Sequence, residues 1–157
     1  MSYPERRWLT HHRPSWVNSS DPLFITLCAQ PRGQNHFANP TRWTKIIQVT
    51  EHLEVRHYCQ PLLLLAMPDH LHLLCRIPRK IGIQTYLRLF KHAVSYQNKV
   101  PWQRGGFEHR LRNQDQVAAK FDYIIKNPIR ANLTPIPWPY QKIWPINREA
   151  DETTDAM

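Results

Sequence analysis

"PLLLLAMPDHLHLLCRI", residues Pro61 to Ile77, decides the fold. Its first part, Pro61 to Met67, is a continuous apolar run bounded by prolines, which predicts a buried strand. Pro68-Asp69 reads as a turn. "HLHLLCRI" then predicts a second strand, the hairpin partner of the first. Residues two apart on a strand point to one face, so His70 and His72 project together and Leu71 points the other way. If the apolar neighbours face a helix-covered core, the imidazoles face the open side of the sheet. Two parallel imidazoles there can chelate a divalent cation. The same spacing fits surface histidines on an alternating strand, and spacing alone does not separate the two readings.

Working outward, "LFITLCA" (Leu23 to Ala29) has the β-branched and aromatic content of a central strand. Asn39 can cap a helix with Pro40 at its first position. Trp43, Ile46, Ile47, Thr50 and Leu53 carry that helix to about His57 at helical spacing. Ile83, Leu87, Phe90 and Val94 mark a second amphipathic helix whose other face bears Arg88, Lys91, His92 and Ser95. "PWQRGGFEHRLR" (Pro101 to Arg112) suits a short strand after its glycine pair. Asn113 with Gln116 resembles a capping box. The helix that follows is expected to run to about Asn127, because proline disfavours helical geometry in the residue before it.

The order β-α-β-β-α-β-α matches an α+β, ferredoxin-like split βαβ pattern: an antiparallel sheet with two helices on one face and the other face left for a ligand. The domain is expected over residues 23–134. An irregular arm, residues 1–22, precedes it, and residues 135–157 read as a proline-rich, then acidic and unstructured tail.

The chain of 157 residues carries a formal net charge of +9, with Lys and Arg spread along its length. That distribution predicts a folded basic surface, for which nucleic acid is the commonest partner. Cys28, Cys59 and Cys75 form neither a disulfide framework nor a zinc ribbon, and sit in apolar runs as expected of reduced thiols. No apolar stretch is long enough to span a bilayer, so a cytoplasmic, nucleoid-associated protein with no membrane partner is expected.

The last helix supplies polar partners for the histidines. Gln116, Lys120, Tyr123 and Asn127 fall at spacings of four, three and four, one polar stripe. Val117, Phe121 and Ile124 form the opposite, apolar stripe. Tyr123 also fits an amphipathic interface residue, and Asn127 an ordinary helix end before proline. Together with the paired histidines they suggest one site.

"MPDHLHLL" resembles the His-hydrophobic-His motif of the single-tyrosine HUH nucleases. "WQRGGFEHRLRN", followed by "YIIKNPIRANL", resembles the far block of the REP-associated tyrosine transposases, relatives of insertion-sequence transposases that act on single-stranded DNA. The resemblance covers residues 23–134, with the motifs in family order. It implies that His70, His72 and Asn127 are ligands of Mg²⁺ or Mn²⁺ and that Tyr123 is the nucleophile. It implies an endonuclease and strand transferase with a 5′-phosphotyrosine intermediate, acting as monomer or homodimer on hairpin-forming repeat DNA. Glu108 stands where the family usually has Asp and is given no chemical role. Arg76, Arg79, Lys80, Arg88, Lys91, Arg104 and Lys120 are candidates for gripping DNA through its phosphates. Each also fits an ordinary solvated position. Trp8, Trp16, Trp138 and Trp144 could stack on unpaired bases or pin the chain ends to the core. A noncatalytic nucleic-acid-binding module explains the charge and sheet without the His–Tyr–Asn set. A phosphodiesterase using water keeps the metal and drops the tyrosine.

Overall fold

The four-leucine run is buried because helices cover both faces of its strand. A computed structural model describes residues 21–145. The elements are β1 (Leu23–Cys28), α1 (Pro40–Val55), β2 (Gln60–Ala66), β3 (His70–Arg76), α2 (Ile83–Ser95), β4 (Phe107–Arg110), α3 (Gln114–Arg130) and β5 (Gln141–Ile143). All seven residues of β2 are buried. Leu64 and Ala66 face the α1 and α2 side, while Leu63 and Leu65 face α3. A two-sided strand has no solvated face to encode, so alternation disappears from its sequence.

The sheet order is β4-β1-β3-β2-β5, with every neighbouring pair antiparallel. The first four strands give the expected ferredoxin-like arrangement, and β5 extends it. The register aligns Thr26 with His72 and Cys28 with His70 across β1 and β3. Directly opposed residues share a face. Leu71, Leu73 and Cys75 join Ile46, Tyr86 and Phe90 in the core beneath α1 and α2. Phe24 and Leu74 join Val117, Phe121 and Ile124 in a second core beneath α3.

The apolar stripe of α3 needs burial and finds it on the second sheet face. Two expectations are corrected. The helix does not stop at Asn127; α3 continues to Arg130 with Pro128 inside it. Proline removes one N–H, and so close to the helix end the loss is a single bond; the next turn still closes through Ala131 N–H donating to Asn127 O at 3.0 Å. Finally, residues 135–145 are not a tail. Trp138 is buried and its Nε1–H donates to Ala66 O at 2.8 Å. Beyond it, β5 pairs with β2, and Trp144 is buried in the α1 side core. Trp138 and Trp144 therefore anchor the fold. Trp8, Trp16, the rest of the arm up to residue 20 and the acidic end from residue 146 lie outside the described residues.

The ends of α1 and α3 are set by side chains. Asn39 accepts from Arg42 N–H with Pro40 at the first helical position. Asn113 accepts from Gln116 N–H, and Gln116 reaches back to accept from Arg112 N–H. Among the described residues, no helix is long and apolar enough to cross a membrane.

Candidate active site

β3 and α3 bring together four of the residues singled out by sequence. His70 and His72 share the sheet face covered by α3, with ring centroids 4.7 Å apart. His72 is buried and stacks on Phe24 at 5.3 Å. Its two nitrogens have different partners: Nδ1 lies 3.0 Å from Thr26 Oγ1, and Nε2 lies 2.6 Å from the Asn127 amide nitrogen. The amide N–H donates to Nε2, so Nδ1 carries the ring proton and donates to Thr26. Burial, reinforced by His70, Lys120 and Arg130, pushes the His72 pKa down to about 3. The ring is therefore neutral at physiological pH, with its Nε2 lone pair aimed at α3.

His70 is oriented from the turn. Its Nδ1 lies 2.8 Å from Asp69 Oδ1, which leaves Nε2 as the second donor. The other Asp69 oxygen accepts from Arg32 Nε at 2.9 Å and Gly33 N–H at 2.7 Å. Burial works to raise the Asp69 carboxyl, but the bonds from His70, Gly33 and Arg32 outweigh it and hold the group well below the usual carboxylate range.

Tyr123 lies one turn before Asn127 on α3 and is half exposed. Its ring is 6.3 Å from that of His72 and 6.4 Å from that of Phe24. Two cations flank it: Lys120 Nζ at 5.3 Å and the Arg130 guanidinium at 4.4 Å from the ring centroid. Arg130 also donates to the Tyr123 carbonyl. The arrangement sets a phenol, two imidazole nitrogens and an amide beneath positive charge, all within one chain.

The donor set fits a divalent ion: two imidazole nitrogens and, with the amide turned, the Asn127 oxygen. Among the described residues no three His, Cys, Asp or Glu side chains cluster to hold an ion, and the Asn127 amide is the third candidate donor beside the two histidines. Imidazole favours Mn²⁺ over Mg²⁺.

Sequence reasoning missed Arg130, Thr26, Asp69 and the rings of Phe24 and Phe107. Arg130 extends the polar stripe by three residues, a signal hidden by ending the helix at Pro128. Thr26 was visible as the lone hydroxyl in an apolar strand. Glu108 pairs with Ile25, whose side chain lies in the other core, and so points away from the site.

The candidate DNA-gripping residues are dispersed. Lys120 lies over the Phe24 ring at 4.7 Å, at the site itself. Lys91 donates to the carbonyls of Gln103 and Gly105, so its ammonium holds the loop before β4. Arg104 is exposed on that loop and Arg88 on α2. Arg76, Arg79 and Lys80 sit at the far end of β3 from His70; Arg76 meets Gln60, and Arg79 and Arg110 line a hollow of about 200 Å³. A hollow of about 520 Å³ between α1 and α2 is on the opposite side of the sheet from the histidines.

Fold and site together describe an α+β, ferredoxin-like domain with a paired-histidine strand facing a tyrosine-bearing helix. That class has a named counterpart. A curated protein of Haemophilus influenzae, a REP-associated tyrosine transposase by name, is 30% identical over 47% of this chain. The chain spans about half the length of that relative, 53%. A solved REP-associated tyrosine transposase bound to a REP hairpin superimposes with a TM-score of 0.69 at 17% identity, covering 88% of this chain and 90% of that one. No family model matches the chain. The chain is thus similar over part of its length to a curated protein of that name, and in fold to a solved one.

Proposed function

We propose that this chain is a single-tyrosine, metal-dependent DNA endonuclease and strand transferase of the REP-associated type, acting on single-stranded DNA beside hairpins. The observation that carries the reading is the meeting of His70, His72, Tyr123 and Asn127, drawn from a strand and a helix far apart in sequence. A noncatalytic binding module has no use for that set.

Tyr123 Oη attacks phosphorus and gives up its proton. The bond to the 3′ oxygen breaks, that oxygen takes a proton, and the products are a 5′-phosphotyrosine and a free 3′-OH. A phenol has a pKa near ~10 in water, so attack needs a field that favours the phenolate. Lys120 and Arg130 flank the ring, and both attract the phosphate. A divalent ion held by His70, His72 and Asn127 would supply charge to a nonbridging oxygen. Thr26 and Asp69 engage the two Nδ1 atoms, which turns both Nε2 atoms toward that position. Because the tyrosine retains the bond energy, the 3′-OH can reverse the step or join a new end.

The test is incubation of the full chain with a single-stranded hairpin oligonucleotide and Mg²⁺ or Mn²⁺, followed by a denaturing gel. Cleavage with a covalent protein–DNA band is expected, and Tyr123→Phe should abolish both. Cleavage without an adduct at any time would make water the nucleophile. An adduct that maps to another tyrosine would remove Tyr123 from the role.

A further inference from the structure

β4 carries an aromatic ring that the proposed chemistry does not use. Phe107 is 59% exposed, on a strand whose four residues are all exposed. An exposed phenylalanine on an edge strand leaves most of its apolar ring in water. Its position is nonetheless built. A Cβ on Gly106 would lie 2.8 Å from the buried Leu27 side chain and 3.3 Å from the Thr26 carbonyl, so a larger residue would press on Leu27 and the β1 backbone. Lys91 holds the preceding loop through its carbonyls.

Phe107 pairs with Thr26, which pairs with His72 on its other side, so the three share one row and one face. Its ring meets Phe24 edge-on at 6.1 Å, and Phe24 in turn stacks on His72. Two strand spacings, roughly 9.6 Å, separate the Phe107 backbone from that of His72. His109 lies two residues along β4 and projects to the same face, opposite Phe24. Lys120, over the Phe24 ring at 4.7 Å, adds positive charge beside this row.

From this geometry we infer that Phe107 is a stacking platform for an unpaired nucleobase next to the reacting phosphate. The inference rests on the proposed DNA-cleaving reading and names the substrate subsite within it. A phosphate at His70 and His72 leaves its neighbouring nucleotide over β4, where a flat apolar ring accepts any base face. Such a subsite requires an unpaired base, because in a duplex the faces are already stacked. It therefore selects single-stranded over double-stranded flanks without reading sequence.

The experiment compares two probes: a DNA hairpin with single-stranded thymidine flanks, and the same hairpin with abasic flanks that keep the sugar-phosphate chain. Affinity is measured by fluorescence anisotropy with the full chain. The wild type is expected to bind the thymidine-flanked probe about tenfold more tightly than the abasic one. Phe107→Ala should erase that preference while binding the abasic probe as the wild type does. Phe107→Trp should restore it, with its indole fluorescence quenched by the thymidine probe. Equal preference in wild type and Phe107→Ala overturns the platform and leaves the nuclease reading intact. Failure of the wild type to bind either probe overturns the nuclease reading itself.

Discussion

Thr26 gives the His72 ring its partner on the side away from Asn127. Its hydroxyl lies 3.0 Å from Nδ1 and takes the ring proton that the Asn127 contact at Nε2 leaves there. Thr26→Val keeps the shape and strands a buried donor, which costs about 1–3 kcal/mol of stability. It should also weaken Mn²⁺ binding by calorimetry, and Thr26→Ser should restore both. Unchanged Mn²⁺ affinity in Thr26→Val would remove Thr26 from this role. Tyr123→Phe is expected to behave differently. The ring keeps its contacts with Phe24 and Arg130, so the thermal midpoint should stay where it is while the covalent adduct disappears. The histidines, Tyr123 and Asn127 were legible because each belongs to a local period, two on a strand or four on a helix. Thr26 and Asp69 act through pairing and turn geometry, which no local period encodes.

The elements were legible where one face alone is buried. α1 and α2 show this in their apolar stripes, and the Asn39 and Asn113 caps were visible as residue types before helical runs. β5 was missed because a three-residue edge strand after a proline-rich segment carries no periodicity of its own; its place comes from pairing with β2. Trp138 makes that segment part of the fold. Trp138→Ala should destabilise the protein by about 3–5 kcal/mol, since it empties a buried site and leaves the Ala66 carbonyl without its indole donor. Chemical denaturation measures this, and a loss under about 1 kcal/mol would mean that residues 135–145 are dispensable to the core.

Two solution properties belong to the whole molecule. The net charge of +9 implies salt-dependent DNA binding. With roughly four phosphates engaged on a single strand, affinity should fall about 50-fold between ~50 and ~200 mM salt. A flat salt response would deny phosphate contacts a leading part. The second property is alkaline stability. Burial pushes the Cys59 thiol up to about 12, against the lowering effect of its bond with Tyr86, and burial likewise raises Cys75 and Tyr86. The unfolded chain loses these protons first as pH rises, so their contribution is intact below about pH 8.5 and is lost progressively above it. Urea midpoints should therefore drop between pH 8 and pH 10, and the drop should shrink in a Cys59→Ala, Cys75→Ala double variant. One consequence of α3 reaches past stability. Tyr123 and Asn127 ride on the same rigid rod, one turn apart, with the rod pinned to the sheet by its apolar stripe. On the proposed reading, the arm that carries the severed strand also carries part of the clasp that activates it. Any swing of that arm away from β3 disarms the centre as it departs, so a half-finished exchange is left latched rather than open to water.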